Sequence, residues 1–291
     1  MTFGLSALFG RQRFAGNRRL FLLCLLLFIL SGIASFWTFF PAEVLQRRLL
    51  QEVSQQTDLR MQGRNAAMLF PLGLGFDLII SPPVPGLNDL ELTELQITPV
   101  WGSLLSKDQK VHLVTSLAGG ELNAVVALDG QVNLGVRDIT LMTLQQADMP
   151  YRISGQLSGQ LDGRDILQNM KGRAGFSLSI KDMRILGLAR IGLPDDLFAG
   201  MLRLEGKLVQ RRVSLEKVVL TGGILELSGG GNILIAETAD QSRLNLNVRL
   251  HPTATTPDSL RDLLNLTGIR PTVDGSYLLR IGGTVAKPAI R

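Results

Sequence analysis

Residues 202–208 read LRLEGKL, so apolar and charged side chains alternate along this stretch. Because successive side chains of a β-strand point to opposite faces of the sheet, a period of two predicts a strand with one buried and one exposed face. The same period recurs in residues 176–181, FSLSIK, and in residues 244–250, LNLNVRL. These stretches indicate a β-rich domain in which each strand has one apolar face.

Further strands are predicted along most of the chain after residue 58. They are residues 74–80, 90–98, 111–117, 122–128, 132–137, 151–161, 213–220, 224–227, 232–235 and 276–285. The sequence also contains Gly-Gly or Asp-Gly dipeptides, which accept the positive φ of tight turns. They are residues 119–120, 129–130, 222–223 and 274–275. Short turns between neighbouring strands predict a mainly antiparallel sheet.

Helices are predicted only at residues 141–147, 165–170, 195–199 and 257–266 of this domain. They are too few to cover the sheet, so its apolar face has to be buried against a second sheet or by curling into a groove, sandwich or partly open barrel. The motif L-x-G-G-x-L at residues 117–122 and 220–225 indicates either two related β units or a chance match among 31 glycines. We therefore expect a mainly β fold: an N-terminal transmembrane helix, then a curved, mostly antiparallel sheet with a few short helices.

Residues 20–40, LFLLCLLLFILSGIASFWTFF, form an uncharged apolar run. A helix of this length spans the hydrocarbon core of a bilayer, which is about 30 Å thick. We expect Leu20, Phe28, Trp37 and Phe40 to anchor the chain, and an aromatic collar is expected at the exit from the bilayer, formed by Phe36, Trp37, Phe39 and Phe40. A cleaved signal peptide is the alternative, but the run is too long and lacks small residues before a cleavage site.

Four arginines precede this run, whereas the basic residues that follow it are interspersed with acids. The positive-inside rule then predicts a single-pass protein of the bacterial inner membrane with a cytoplasmic N-terminus and a periplasmic domain. The expected organisation is a basic tail at residues 1–19, a transmembrane helix at 20–40, an amphipathic linker helix at 41–57 and a β domain at 58–291.

Two sets of residues near the membrane are candidate contact sites. Ser31, Gly32 and Ala34 are small enough for close packing against another transmembrane helix, or they simply face lipid. Arg47 and Arg48 either contact lipid phosphates or belong to a solvated helix face.

Charge and composition argue against several classes of function. Without the four N-terminal arginines the chain has 26 basic and 25 acidic residues, and this balance does not favour nucleic acid as a partner. The only cysteine, Cys24, lies in the apolar run, and the two histidines are far apart in sequence. No nucleophile elbow, P-loop or metal motif is present in the sequence. We therefore predict no catalytic residue, no metal site and no cofactor.

Several short motifs occur in a characteristic order along the chain. They are residues 40–43 FPAE, 70–74 FPLGL, 97–99 ITP, 101–105 WGSLL, 119–120 GG, 154–159 SGQLSG and 275–288 GSYLLRIGGTVAKP. Together they resemble the family of type II secretion system protein N. The resemblance implies an accessory scaffold without catalytic residues that makes protein–protein contacts in the periplasm. Its partners would be other inner-membrane subunits of the secretion platform, and membrane lipids.

The last of these motifs, a strand followed by G-T-x-x-x-P, also resembles the end of AsmA-like envelope proteins. That resemblance implies an alternative function, the binding or transfer of lipid in an apolar β-groove. The two functions differ in what covers the apolar face. In a scaffold the side chains of the two β units pack against each other, whereas in a lipid-binding protein an open apolar channel persists. Alternation in the sequence is the same in both cases.

Overall fold

A computed structural model describes residues 14–57, 59–82, 86–106, 108–166, 172–236, 238, 241–266 and 269–290. Its strands form one antiparallel sheet in sequence order, and each pairs with the strands before and after it. The strands are β1 Arg60–Leu69, β2 Gly73–Ser81, β3 Leu90–Pro99, β4 Lys110–Leu117, β5 Gly120–Ala127, β6 Gln131–Thr140, β7 Arg152–Arg164, β8 Arg173–Leu186, β9 Asp196–Val209, β10 Arg212–Thr221, β11 Leu225–Leu234, β12 Arg243–Pro252, β13 Tyr277–Gly283 and β14 Pro288–Ile290.

The described helices are α1 Phe14–Phe39, α2 Ala42–Thr57, α3 Leu141–Leu144 and α4 Asp258–Leu266, and single 3-10 turns occur at Trp101–Ser103 and Leu188–Ile191. The expected fold class, a mainly β chain with one N-terminal apolar helix and few others, is confirmed. Of the three arrangements left open by the sequence, the sheet is an open one: across the described strands, β1 and β14 do not pair to close a barrel.

Two local predictions differ from the structure, and a third lies mostly outside the described residues. The helix predicted at residues 195–199 is wrong, because β9 begins there and Asp196 Oδ2 accepts a 2.7 Å hydrogen bond from Arg184 Nη1 on β8. The strands predicted at 224–227 and 232–235 are one strand, since the intervening glycines pair with β12. Most of the helix predicted at 165–170 lies outside the described residues.

β-Bulges interrupt the ladders of most neighbouring strands. At two of them Asn65 and Glu94 adopt positive φ, on β1 and β3 respectively. Asp77 on β2 joins these two bulges, because its carboxylate accepts hydrogen bonds from Asn65 Nδ2 at 2.7 Å and from the Glu94 backbone N–H at 2.9 Å. An extra residue on one strand bends it and increases its twist, so the repeated bulges curve the sheet.

The best-buried side chains lie at two places on the apolar face. The first cluster combines Ala42 of α2 with residues of β2, β3, β4 and β6, such as Phe76 and Ile139. The second and third clusters combine Leu260 and Leu264 of α4 with residues of β9 and β12 and with the 3-10 turn at Leu188–Ile191. From β6 onward these clustered residues lie at the strand ends that the even-to-odd turns connect. We call this side of the sheet, formed by strand ends and not by an outermost strand, the far edge.

Candidate functional site: an apolar groove

An unbroken row of apolar residues and glycines crosses thirteen strands at matching register positions. We call it the long row: Met68, Leu74, Ile97, Leu113, Ala124, Leu134, Leu161, Phe176, Gly206, Leu215, Gly231, Leu246 and Ile281. Since neighbouring strands lie about 4.8 Å apart, twelve spacings extend this row over roughly 58 Å. The row runs across the strands, along the whole length of the sheet.

Two parallel rows extend the apolar surface on both sides of the long row. One of them connects Leu157, Ile180, Leu202, Leu220, Leu227, Leu250 and Tyr277 at successive positions from β7 to β13. The other passes through Val132, Gly163, Ala174, Leu208, Val213, Ile233 and Leu244. A further row lies between the first of these and the long row, so the four rows make a continuous apolar strip: Gly159, Leu178, Leu204, Val218, Gly229, Val248 and Leu279.

The apolar strip lies on the inner, more buried face of the curved sheet. Leu161, Phe176 and Leu215 are half-buried, although they belong to none of the buried clusters in the described part of the chain. Leucines on the opposite face are more accessible, since Leu234 is 46% and Leu278 49% exposed. A flat single layer would expose both faces similarly, so the sheet curls around its apolar face to form a groove.

The dimensions of the molecule agree with an open groove. The chain has an accessible surface of 20200 Å². A compact monomer of the same mass, 31.7 kDa, exposes about 12,000 Å². The exposed anchor helix and the single-layer sheet both contribute to this excess.

Helix α2 closes the groove at its first strand. Gly63 on β1 leaves the space that α2 occupies, because a Cβ at this position would lie 2.1 Å from Gln46 Nε2 and 2.7 Å from Leu50 Cδ1. Gln46 is buried, and its Nε2 lacks a hydrogen-bond partner. A polar cavity of about 490 Å³ lies beside it between α2 and β1, and its lining includes Arg47, Ser54 and Arg64.

Helix α4 closes the far edge in the C-terminal half. Leu260 packs with Leu188 and Leu197, and Leu264 packs with Leu250 and Tyr277. The Tyr277 hydroxyl donates a 2.8 Å hydrogen bond to Asn265 Oδ1, which holds α4 against β13. Helix α4 therefore covers the groove at the far edge. The groove is most open at the opposite strand ends, where the β1–β2, β3–β4 and later odd-to-even turns lie.

The predicted anchor residues occupy one exposed helix and its exit. Phe28 is 76% exposed, and α1 contains a stretch from Phe21 to Phe39 that is long and apolar enough to cross a membrane. The ring of Trp37 contacts the ring of Phe70 in the β1–β2 turn, with 5.3 Å between the two ring centroids. Phe40 follows the last helical residue and packs on the first buried cluster. Leu20 belongs to α1, but its side chain lies outside the described set.

Four of the five candidate contact residues are accessible, and the structure does not bring these four to the groove. Ser31 and Gly32 lie on the exposed surface of α1, with nothing near a Cβ at Gly32. Ala34 lies in α1, and its side chain is not described. Arg47 and Arg48 are exposed on α2, where Arg47 Nη2 forms an ion pair with Glu43 Oε2 at 3.5 Å. Their proposed contacts stay predictions.

The described residues offer a continuous apolar surface for binding. No cluster of three or more potential metal ligands is found among them. His112 Nε2 lies 2.8 Å from Asn123 Oδ1 on the polar face, away from the groove. A half-buried hydrocarbon strip binds by removing apolar surface from water, which favours a ligand with long hydrocarbon segments.

Comparisons with protein-family models, with curated proteins and with solved structures give no match. The two family resemblances therefore rest on the short motifs alone. The sequence predicted the anchor residues, and it placed groove residues such as Phe176 and Leu246 on the buried faces of separate strands without joining them into one surface. The signal for the groove was present as the alternation of each strand, and only the register between strands joins those apolar positions into rows.

Proposed function

We propose that this protein is a single-pass protein of the bacterial inner membrane whose periplasmic β domain binds lipid acyl chains in its apolar groove. The observation that carries the proposal is the long row, whose leucine, phenylalanine and isoleucine side chains from Leu134 to Ile281 stay half-buried and outside the buried clusters. An exposed apolar patch of more than a few hundred Å² is a mark of a binding surface.

The length of the groove supports a hydrocarbon ligand. A bilayer core of about 30 Å contains two layers of acyl chains, so one chain extends over about 15 Å. The part of the long row outside the buried clusters, from β6 to β13, has seven strand spacings and extends over roughly 34 Å, enough for two chains in succession. The arrangement of charges supports the same ligand, because the acids and bases of β7–β10 lie on the other face, as in the ion pair of Lys207 Nζ with Glu216 Oε1 at 2.6 Å.

The position of the anchor supports a membrane source for this ligand. Only Phe40 and Pro41 separate α1 from α2, and α2 packs directly on β1. The first strands of the groove are thus held close to the bilayer. The charge pattern of the sequence supports a cytoplasmic N-terminus.

A second candidate function is the accessory scaffold of the type II secretion system. The ordered motifs favour it, and so does the free backbone of β13. Residues Tyr277–Arg280 pair with β12 on one side, and in the described residues no strand pairs with their other side. An open strand edge of this kind accepts an extended segment of a partner protein.

The proposal is tested by feeding cells a photoreactive fatty acid and irradiating them before purification of the full chain. Peptides of α1 will carry lipid adducts in any case and show that labelling worked. Under the proposal, peptides of β7–β11 carry adducts as well. Adducts confined to α1, together with secretion-platform subunits recovered in detergent-free membrane discs, would instead support the scaffold.

A further inference from the structure

The three turns nearest the anchor carry large exposed apolar side chains. Phe70 in the β1–β2 turn is 79% exposed, Leu105 in the β3–β4 loop is 100% exposed, and Leu128 in the β5–β6 turn is 74% exposed. Leu72, Trp101 and Leu104 are exposed in the same turns. We call these six residues the apolar tips. Because strand direction alternates, the three turns lie side by side at one edge of the sheet.

The same edge receives the end of the anchor helix. Helix α2 runs antiparallel to β1, since Ser54 near its end donates a 2.7 Å hydrogen bond to the Leu59 carbonyl just before β1. The start of α2 therefore lies beside the end of β1. Trp37 of α1 contacts Phe70 at the β1–β2 turn, and this contact places the exit of α1 next to the first apolar tip.

The loop that carries Trp101, Leu104 and Leu105 is held in a defined conformation. Buried Ser103 donates a 2.6 Å hydrogen bond from its Oγ to the Val100 carbonyl, and the same Oγ accepts a 2.8 Å bond from the Lys110 backbone N–H. Ser106 Oγ donates to the Ser103 carbonyl at 2.8 Å. A loop with this many internal bonds keeps its apolar side chains pointing outward.

Turns further from the anchor have a different character. The β9–β10 turn consists of Gln210 and Arg211, both exposed. The third turn is already mixed, because Asp129 beside Leu128 forms an ion pair with Arg164 of β7, with Oδ2 2.9 Å from Nη2. Among the described odd-to-even turns, apolar side chains that are more than 70% exposed occur only in the first three, and later turns carry less exposed ones such as Val209 and Val285.

We infer that the apolar tips are inserted into the interface of the membrane that α1 spans, so that the edge of β1–β6 rests on the bilayer. Tryptophan, phenylalanine and leucine at adjacent tips suit the boundary between headgroups and acyl chains. This inference goes beyond the proposed function, because it depends on the anchor and not on what the groove binds. It also brings the open edge of the groove to the lipid surface.

The two tryptophans of the chain, Trp37 and Trp101, provide the test. The Trp37→Phe protein retains only Trp101, and the full chain is reconstituted in phosphatidylcholine–phosphatidylglycerol vesicles with brominated acyl chains. Bromine quenches tryptophan only on contact. The inference predicts that Trp101 loses most of its fluorescence relative to vesicles without bromine, and that aqueous iodide quenches it weakly.

Two matched variants frame the result. The Trp101→Phe protein reports on Trp37, which bromine quenches if the anchor is inserted. A protein with Trp37→Phe, Trp101→Phe and Gln210→Trp places the only indole at the polar β9–β10 turn, where iodide and not bromine quenches it. If Trp101 behaves like this last variant while Trp37 is quenched by bromine, the inference is overturned. An empty groove leaves these outcomes unchanged, so failure of the proposed function is recognised separately.

Discussion

Leu161→Glu is expected to abolish most lipid binding while leaving the domain folded. Leu161 lies in the long row, paired with Leu134 on β6 and Phe176 on β8, and it is half-buried. Full burial of a leucine contributes about 1.5–3 kcal/mol, so loss of a half-buried one costs about 1 kcal/mol. Domains are stable by about 5–15 kcal/mol, so the variant stays folded.

The effect on binding is larger, because the new carboxylate excludes the part of the ligand that crosses β7. Three backbone bonds extend about 3.4 Å, so one strand spacing of about 4.8 Å accommodates about four methylenes of an extended chain. At about 0.8 kcal/mol per methylene, their exclusion weakens binding by about 3 kcal/mol, which is about 100-fold.

The assay is a titration of the full chain, held in an amphipathic polymer, with a fluorescent fatty acid. Leu234→Glu is the matched control, because it makes the same chemical change on the opposite face at a residue 46% exposed. We expect it to bind as the unmodified protein does. Unchanged affinity of Leu161→Glu, or an equal loss in both variants, would refute the groove as the binding site. Thermal unfolding confirms that both variants are folded.

Three further predictions concern the structure around the groove. Gly63→Val is expected to displace α2 and lower the free energy of unfolding by about 1–3 kcal/mol, because the new side chain overlaps Gln46 and Leu50. Denaturant unfolding measures this change, and Gly175→Val, where a Cβ meets open space, is the control. Ser103→Ala removes the hydroxyl that forms hydrogen bonds with Val100 and Lys110. The rate of amide hydrogen exchange should therefore rise at Lys110 and stay unchanged in β9. An exchange rate at Lys110 equal to that of the unmodified protein would contradict the role given to Ser103. Hydrogen bonds from the Glu94 N–H and the Asn65 amide lower the pKa of Asp77, so its contribution to stability is complete above its unfolded pKa of about 3.9 and is lost as pH falls toward the lower folded value. The free energy of unfolding of Asp77→Asn should be about 1 kcal/mol lower at neutral pH, and it should fall less between pH 5 and 3. Parallel pH profiles of stability for the two proteins would contradict the role given to Asp77.

Much of the sheet was predictable because alternation is a local signal. Residues such as Phe176 and Leu204 alternate with polar neighbours, and strands follow. Strand β1 was missed, since its bulge at Asn65 shifts the period within RMQGRNAAML. Strand β14 is too short to show any period.

The arrangement of strands was not predictable from the same signal. A strand buried by a second sheet and a strand buried by curling show the same alternation. The glycines Gly229 and Gly231 suggested a break, yet both belong to β11, where a Cβ at Gly229 would lie 2.4 Å from the Asn247 carbonyl oxygen of β12. Close packing of backbones between strands is a tertiary requirement and leaves only an ambiguous mark on the sequence.

The residues that define the groove and the apolar tips depend on long-range order. The long row joins positions such as Met68 and Ile281 that are distant in sequence, and only the pairing register aligns them. Trp101 and Leu105 lie in the motif WGSLL at residues 101–105. They are exposed on the same side of the sheet as Phe70 because the direction of the strands alternates. Sequence alone identified the residues without their common surface.

The most direct test of the central claim places a photoreactive benzoylphenylalanine at single positions on both faces of one strand in the full chain, followed by irradiation in intact cells. Leu178 faces the groove on β8, and Ser177 faces the opposite side. The account predicts lipid adducts at Leu178 and none at Ser177. Protein adducts at Leu178, or lipid adducts at both positions alike, would contradict the assignment of the groove as a lipid-binding site.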